Sequence, residues 1–295
     1  DEAQTIENIG TILKVFIDKY NDVQIIATGS SSFDLANKIN EPLTGRSFEF
    51  ILYPLSLDEI KKDSSQKIKK EDLYTYMKLG TYPAIVGENN QEIQESILRN
   101  ITTNYLYKDI FIFEAIKNPT VFEDLLKLLA YQIGQLVSVY ELSRSLGVSR
   151  EIVEKYIRLL EQAYIIKKVR SFSRNGRNEL KKSYKIYFID IGIRNAVINA
   201  FSKDMEKRDD KGLLFENLCI MEEVKKGTLD TFPAEVFFWR TRDKLEIDII
   251  TIKGKNIHAY ECKWSDQKVI FTKFKKLYPD SVVGVVTPDS LIDSF

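Results

Sequence analysis

The chain has 295 residues, of which 44% are hydrophobic and 29% are charged, a composition that excludes an intrinsically disordered protein. Basic and acidic residues both number 43, so net charge neither favours nor excludes a nucleic-acid partner. No apolar run approaches the ~18 residues that cross a bilayer, and there is no signal-peptide pattern. We therefore expect no membrane partner. Cys219 and Cys262 show no pairing pattern, which favours a reducing compartment, and we expect a cytoplasmic protein.

The first sixty residues predict a helix and then two strands. Six apolar positions between residues 6 and 17 recur with the spacing of one helical face. Residues 23–27 predict a strand that ends in a polar turn at 28–32, and residues 48–52 predict a second strand. In open α/β sheets ligands bind beyond the carboxyl ends of strands, which makes the polar turn a candidate ligand contact. Ser56 and Glu59 form a capping box that begins another helix.

The middle of the chain is predicted to be helical. Residues 71 to about 130 repeat apolar side chains with a helical period. Ser138 begins a further helix, and Gly147 can adopt the left-handed conformation that ends it. Ser149 then caps a second helix over residues 150–162, which is helix-turn-helix spacing. Two strands, 164–169 and 183–189, would complete a winged helix.

The predicted wing is strongly basic. Between residues 167 and 185 there are eight basic residues and a single acid, Glu179, and such clustering is typical of phosphate binding. The candidate nucleic-acid contacts are Lys168, Arg170, Arg174, Arg177, Lys181 and Lys182. Acids on the exposed face of the helix at 150–162 would repel phosphate. DNA binding and a structural or protein-contact role therefore both stay open for this module.

Two neighbouring segments near the C-terminus carry acids within apolar strands. In a regular strand side chains alternate, which places Glu246 and Asp248 on one face and the isoleucines at 247 and 249 on the other. Glu261 and Lys263 likewise share a face. Gly254, between the segments, suits a hairpin turn. Pairing the strands would gather Asp248, Glu261 and Lys263 into one polar cluster, which stability alone gives little reason to build.

The predicted order after residue 203 is helix, three strands, helix and strand, and it resembles the restriction-endonuclease-like PD-(D/E)xK fold. The family's acids correspond to Glu216, Asp248 and Glu261, and its lysine corresponds to Lys263. The resemblance implies that Asp248 and Glu261 bind Mg²⁺ or Mn²⁺ and that Lys263 orients the attacking water. Glu216 would complete the site or hold a second ion, with Glu246 in a supporting place. The alternatives are a structural salt bridge and a non-catalytic binding module.

Four short segments in the first sixty residues carry a second resemblance. They are an Asp-Glu pair at 1–2, Thr-Gly-Ser-Ser-Ser at 28–32, Leu-Thr-Gly-Arg at 43–46 and Tyr-Pro-Leu-Ser at 53–56. In this order they resemble the AAA-type ATPases that carry a C-terminal domain of unknown function with a nuclease-like fold, and the resemblance covers the entire chain.

This resemblance implies ATP with Mg²⁺ as the cofactor. Asp1 would hold Mg²⁺ near the phosphates, and Glu2 would polarise the attacking water. Thr28 or Ser30 would sense the γ-phosphate. Arg46 would reach the nucleotide of a neighbouring subunit, which implies a homo-oligomer formed through the ATPase half.

One departure from that family concerns the phosphate cradle. A P-loop requires Gly-x-x-x-x-Gly-Lys-Ser/Thr, and no such run occurs in these 295 residues. We therefore expect the chain to be a fragment of the ATPase, the other explanation being a truncated gene. As it stands, the chain is expected not to hydrolyse ATP.

The predicted fold class is a multidomain combination of α/β and α+β units. Residues 1–70 would be the C-terminal half of an AAA-type domain, residues 71–202 a helical region with a winged helix at about 136–190, and residues 203–295 a restriction-endonuclease-like domain. The leading hypothesis is an ATPase that acts on or near DNA. The alternatives are a Mg²⁺-dependent nuclease in its own right and a non-catalytic docking or oligomerisation module of the ATPase.

Overall fold

A computed structural model of the chain describes residues 1–20, 22–29, 43, 45–64, 67–103, 116, 118–173, 183–201, 204–228, 230, 232–241, 243–265 and 267–293. The helices of the first half are α1 (Ile9–Lys19), α2 (Leu57–Ser64), α3 (Lys70–Leu79), α4 (Pro83–Val86), α5 (Gln91–Asn100), α6 (Pro119–Tyr131), α7 (Val139–Leu146) and α8 (Arg150–Gln162). The second half contains β1 (Ile166–Ser171), β2 (Tyr184–Phe188), α9 (Ile191–Val197), α10 (Lys211–Lys226), β3 (Glu235–Arg240), β4 (Glu246–Lys253), β5 (Asn256–Cys262), α11 (Thr272–Leu277), β6 (Val282–Val286) and α12 (Pro288–Asp293).

The N-terminal segment contains the predicted helix but not the predicted strands. Helix α1 packs Ile9 and Leu13 against Ala3 and Leu43 in a small hydrophobic cluster. The strands predicted at 23–27 and 48–52 are wrong, because the structure shows neither segment in a sheet of the described residues. A strand is stabilised by its hydrogen-bonded neighbours, so an apolar alternating sequence is not sufficient to form one.

The predicted helix starts are confirmed by their caps. At the start of α2 the Ser56 backbone N–H donates to Glu59 Oε2 at 2.8 Å, and the Glu59 N–H donates to Ser56 Oγ at 3.2 Å. Ser138 accepts from the N–H of residue 141 at 3.3 Å, and Ser149 accepts from that of residue 152 at 3.4 Å. Gly147 ends α7 at φ +65° in the left-handed region. Helices α7 and α8 therefore lie where the sequence placed them.

The hairpin of β1 and β2 belongs to the same sheet as the C-terminal strands. The two strands pair antiparallel from Ile166↔Phe188 to Arg170↔Tyr184. Strand β1 also pairs parallel with β3 through Arg170↔Phe237, which makes one six-stranded sheet in the order β2-β1-β3-β4-β5-β6. This sheet crosses the predicted domain boundary near residue 203. The predicted wing at 174–182 lies outside the described residues.

The C-terminal strands place the candidate site beside α10. Strands β4 and β5 form the predicted hairpin, with Lys253 paired to Asn256 and Gly254 at φ +63°. Strand β6 runs parallel to β5 at the far edge. Helix α10 packs against β2, β3, β4 and β5 on one face of the sheet. On the other face Phe274 and Tyr278 pack with Trp239 in a separate hydrophobic cluster.

A register shift in β4 breaks the alternation beside the candidate metal ligand. The pairing of β3 with β4 shifts by one residue, so that Asp248 and Ile249 lie together opposite Phe238. The strict alternation predicted for residues 246–249 is therefore wrong, since Ile247 packs in the smaller cluster and Ile249 in the main core. Irregularities of this kind redirect single side chains and are common next to active sites.

Candidate active site

The three acids predicted to bind a metal come from three separate elements. Glu216 lies on α10, Asp248 on β4 and Glu261 near the end of β5, and Lys263 follows β5 directly. The carboxylate residues are only 7%, 8% and 7% exposed, respectively. Carboxylates are seldom this buried unless cations or hydrogen-bond donors accompany them, so the identity of those partners decides what the cluster can do.

Asp248 is fixed against the strand that carries the other two residues of the predicted motif. Its Oδ2 accepts a hydrogen bond from the backbone N–H of Cys262 at 2.9 Å. The same oxygen lies 4.0 Å from Nζ of Lys263. The backbone pairing of β4 with β5 has ended at this point, so the Asp248 side chain accepts the Cys262 N–H that a strand backbone would otherwise accept.

Glu261 is held between a cation and another carboxylate. Lys263 Nζ donates to Glu261 Oε2 at 2.7 Å, as the predicted alternation requires. Burial first, and then the nearby charge of Asp248, raise the pKa of Glu261 to about 7 in spite of this lysine. Two acids this close, with one lysine between them, form an electronegative site.

Glu216 has a different set of partners, which sequence reasoning missed. Lys185 Nζ and the Tyr187 hydroxyl, both on β2, donate to Glu216 Oε1 at 2.9 and 2.5 Å. Burial, followed by the charge of Asp248, raises the pKa of Glu216 to about 7. Burial and the charge of Glu216 also raise the pKa of Tyr187 well above its ordinary value. Tyr187 therefore stays a neutral donor.

Lys185 joins Glu216 to a fourth acid. Its Nζ also lies 2.5 Å from Glu246 Oε1, and Arg240 Nη1 lies 3.0 Å from Glu246 Oε2. Burial alone would lower the pKa of Lys185, but the charges of Glu216 and Glu246 outweigh it and the pKa is raised. The only sequence signal for Lys185 was its membership of the basic run at 167–185, which we interpreted as a phosphate-binding surface.

The donor set around Asp248 and Glu261 fits a small divalent cation. Mg²⁺ is commonly held by one or two carboxylates and keeps several waters. These two carboxylates share a single lysine, Lys263, and a divalent cation relieves such an excess of acids over bases. Within the described part of the chain no group of three or more His, Cys, Asp or Glu side chains is arranged to hold a metal. The fit is therefore to a two-carboxylate site and not to an all-protein cage.

In the N-terminal segment two predicted nucleotide contacts are adjacent. The Thr28 hydroxyl donates to Asp1 Oδ1 at 2.5 Å, and the Ala3 N–H donates to the Thr28 carbonyl at 2.9 Å. The Glu2 N–H donates to the same Asp1 oxygen at 3.1 Å. Arg46 forms an exposed ion pair with Asp18. Ser30 lies outside the described residues.

Two of the predicted nucleic-acid contacts are described by the structure. Lys168 lies 3.4 Å from Glu161 and 5.3 Å from the ring centre of Tyr184, so its ammonium is engaged within the protein. Arg170 is exposed on β1. The other four candidates, Arg174, Arg177, Lys181 and Lys182, lie outside the described residues.

Comparison with known families matches three successive parts of the chain. Residues 1–61 match an AAA domain, residues 70–204 match a domain of unknown function (DUF8612), and residues 211–290 match another (DUF4143). These matches support an AAA-type, ATPase-like protein, and AAA domains in general use ATP with Mg²⁺. Within the described residues, no helix is both long and apolar enough to span a membrane.

The chain is also similar to several uncharacterized microbial proteins. One from Haemophilus influenzae is 28% identical over 87% of this chain and 63% of its own length. One from Methanocaldococcus jannaschii is 27% identical over 98% of this chain and 70% of its own. One from Mycobacterium tuberculosis is 23% identical over 89% of this chain and 57% of its own. The chain thus spans between 57% and 70% of these relatives, and no solved structure matches it.

Proposed function

We propose that this ATPase-like protein carries a nuclease site, in which Asp248, Glu261 and Lys263 hydrolyse phosphodiester bonds of DNA with a divalent cation. The observation that carries the proposal is the pairing of two buried carboxylates beside one lysine, with Lys263 Nζ 2.7 Å from Glu261 and 4.0 Å from Asp248. The residue types, their spacing along two paired strands and their convergence all agree with metal-assisted hydrolysis.

Each residue has a separate task in this proposal. Mg²⁺, when bound by Asp248 and Glu261, supplies Lewis-acid polarisation of the scissile phosphate. The Cys262 N–H keeps the Asp248 carboxylate in a fixed position, so little reorganisation accompanies the reaction. Lys263, whose side chain is 31% exposed, places its ammonium at the mouth of the site to orient the attacking water and a phosphate oxygen.

We extend the proposal to the nucleotide half of the protein. Asp1 would hold Mg²⁺ of ATP, Glu2 would polarise water, and Thr28 or Ser30 would sense the γ-phosphate, with Arg46 directed to a neighbouring subunit. The hydrogen bond from Thr28 to Asp1 supports the roles of these two residues, because it places them side by side. The phosphate cradle of a P-loop is absent from this sequence, so ATP binding is proposed for a protein in which such a loop joins these residues.

DNA is the proposed partner of the nuclease site. Support comes from the basic run at 167–185, and within it from Arg170, which is exposed on β1. The proposal assigns phosphate contacts to Arg170 and to the four basic residues between 174 and 182. Lys168, which pairs with Glu161, contributes less.

A cleavage assay tests the nuclease proposal. Supercoiled plasmid and linear DNA are incubated with the 295-residue chain in Mg²⁺ or Mn²⁺ and, as a control, in EDTA. The wild-type chain should cut DNA only with the metal, and Asp248→Asn and Lys263→Met should each lose at least about 100-fold in rate. The matched control is Asp243→Asn, whose exposed carboxylate pairs with Lys273 away from the cluster, and it should cut like the wild type. Identical traces for all four proteins would remove the nuclease claim.

A further inference from the structure

The four acids near α10 divide into two pairs, each with its own lysine. Glu216 and Glu246 are bridged by Lys185, at 2.9 and 2.5 Å. Asp248 and Glu261 lie around Lys263 instead, at 4.0 and 2.7 Å. The two pairs meet on β4, where Glu246 of the first pair and Asp248 of the second are two positions apart.

The pairs differ in charge. Arg240 adds a second cation to the first pair through Glu246, so two acids face two bases and the formal charges cancel. In the second pair two acids share one base, since Lys263 is the basic residue that forms ion pairs with them among the described residues, and the formal charge is minus one. A divalent cation is attracted to the pair that is not already neutralised.

The two lysines also differ in burial. The Lys185 side chain is 3% exposed and lies 5.4 Å from the ring centre of Phe238, whereas that of Lys263 is 31% exposed. Lys263 can therefore swing toward solvent and leave space between its carboxylates. Lys185 has no such exit, and Glu216 Oε1 already accepts from both Lys185 and Tyr187.

We propose that Lys185 is a built-in cation that occupies the place of a second divalent ion. The cluster then binds one ion, through Asp248 and Glu261, and Glu216 is a positioning residue instead of a metal ligand. This inference rests on the proposed nuclease function and deepens it. If Lys185 has this role, residues 211–290 do not form the complete site by themselves, because Lys185 and Tyr187 belong to the hairpin within residues 70–204.

Counting bound Mn²⁺ tests this assignment without any measurement of cleavage. The free-ion electron paramagnetic resonance signal is followed as Mn²⁺ is added to the full chain. The wild type should bind one ion, and Asp248→Asn should weaken that binding by more than about 100-fold, beyond the 10–100-fold range of residues that only support a ligand. Lys185→Met should bind two ions, because Glu216 and Glu246 lose the cation between them.

Further variants keep the test decisive where Lys185→Met folds poorly. Glu216→Gln, which leaves Lys185 in place, should still bind one ion, with an affinity reduced by no more than about 100-fold. Lys185→Met combined with Glu216→Gln should return to one ion. Lys225→Met removes another buried lysine of the same core, 3.2 Å from Glu222, and as the matched control it should bind one ion.

The possible failures are distinguishable. Two ions on the wild type, or loss of the ion in Glu216→Gln, would overturn the role of Lys185 while leaving a metal site in place. One ion on a folded Lys185→Met chain would overturn it as well. No ion on any variant, together with no cleavage of DNA, would remove the proposed nuclease function and this inference with it.

Discussion

The Asp248 carboxylate accepts a hydrogen bond at 2.9 Å from the backbone N–H of Cys262, 14 positions along the chain. This bond holds the carboxylate against the residue that separates Glu261 from Lys263. One side chain thus has two separable tasks, since its oxygen accepts a hydrogen bond and its charge is available to a cation.

Substitutions at position 248 should separate these tasks. Asp248→Asn keeps an oxygen acceptor for the Cys262 N–H, so we expect the free energy of unfolding to change by less than about 1 kcal/mol while Mn²⁺ binding is lost. Asp248→Leu should also lose Mn²⁺ binding. Because it leaves the buried Cys262 N–H unpaired, it should in addition lower the free energy of unfolding by about 1–3 kcal/mol. Urea unfolding and Mn²⁺ titration of both variants check the prediction. Retained Mn²⁺ binding in the asparagine variant would contradict it.

A second prediction concerns the contact of α10 with the first residue of α2 and with the segment just before it. Glu222 Oε2 accepts the Leu57 N–H at 2.9 Å, and Lys225 Nζ donates to the Leu55 carbonyl at 2.8 Å. Removing one partner leaves a buried charge, so Lys225→Met should lower the free energy of unfolding by about 3–5 kcal/mol.

The matched control lies one position along the same helix. Lys226 pairs with Glu223 at 2.7 Å on the surface, and Lys226→Met should cost less than about 1 kcal/mol. Urea unfolding compares the two variants, and hydrogen exchange of residues 55–64 should accelerate only in Lys225→Met. Equal losses of stability would show that the buried pair has no special role.

A third prediction concerns Gly80, which follows α3 at φ +75°. A Cβ there would lie 2.0 Å from Oδ1 of Asp190, whose other oxygen accepts the Thr81 N–H at 2.8 Å. Gly80→Ala combines this clash with left-handed strain and should destabilise the protein by more than about 2 kcal/mol. Gly212→Ala in α10 meets open space and should stabilise it by about 0.5–1 kcal/mol. Thermal unfolding of both variants gives the comparison, and a neutral Gly80→Ala would contradict the geometry.

The fourth prediction is a pH dependence of stability from Asp210. Partial burial acts to raise the pKa of Asp210, but the hydrogen bond and charge of Arg208 and the charge of Arg194 lower it from 3.8 to about 2. An acid with a lowered pKa stabilises the fold above its unfolded pKa. Its contribution, at most about 2 kcal/mol, is therefore lost as the pH falls from about 4 to about 2.

Unfolding in urea at several pH values measures this loss. The wild-type chain should become less stable across that window, and Asp210→Asn should lack this part of the slope while being less stable at pH 6. A slope of the same size in both proteins would assign it to other acids.

Much of the local structure could be predicted from the sequence, because its causes are local. The caps at Ser56, Ser138 and Ser149 and the turn at Gly254 depend on residues a few positions apart, and all four are present. The pairing of Glu261 with Lys263 follows from strand alternation in the same way.

The remainder depends on long-range pairing, which a local pattern does not contain. Lys185 reaches Glu216 because β1 pairs with β3, and nothing in the basic run at 167–185 indicates that pairing. The shift that places Asp248 and Ile249 together arises between two strands and overrides the alternation within one of them. The strands predicted at 23–27 and 48–52 failed for the same physical reason, since strands form only with partners.

If Asp248 and Glu261 hold a divalent cation beside Lys263, crystals of the chain grown with Mn²⁺ will contain that ion between the two carboxylates. An anomalous difference map collected near the manganese absorption edge should show one peak, in contact with the Asp248 and Glu261 carboxylates and separate from Glu216. A map without a peak at these two residues, in crystals where their side chains are ordered, would show that they do not form a metal site.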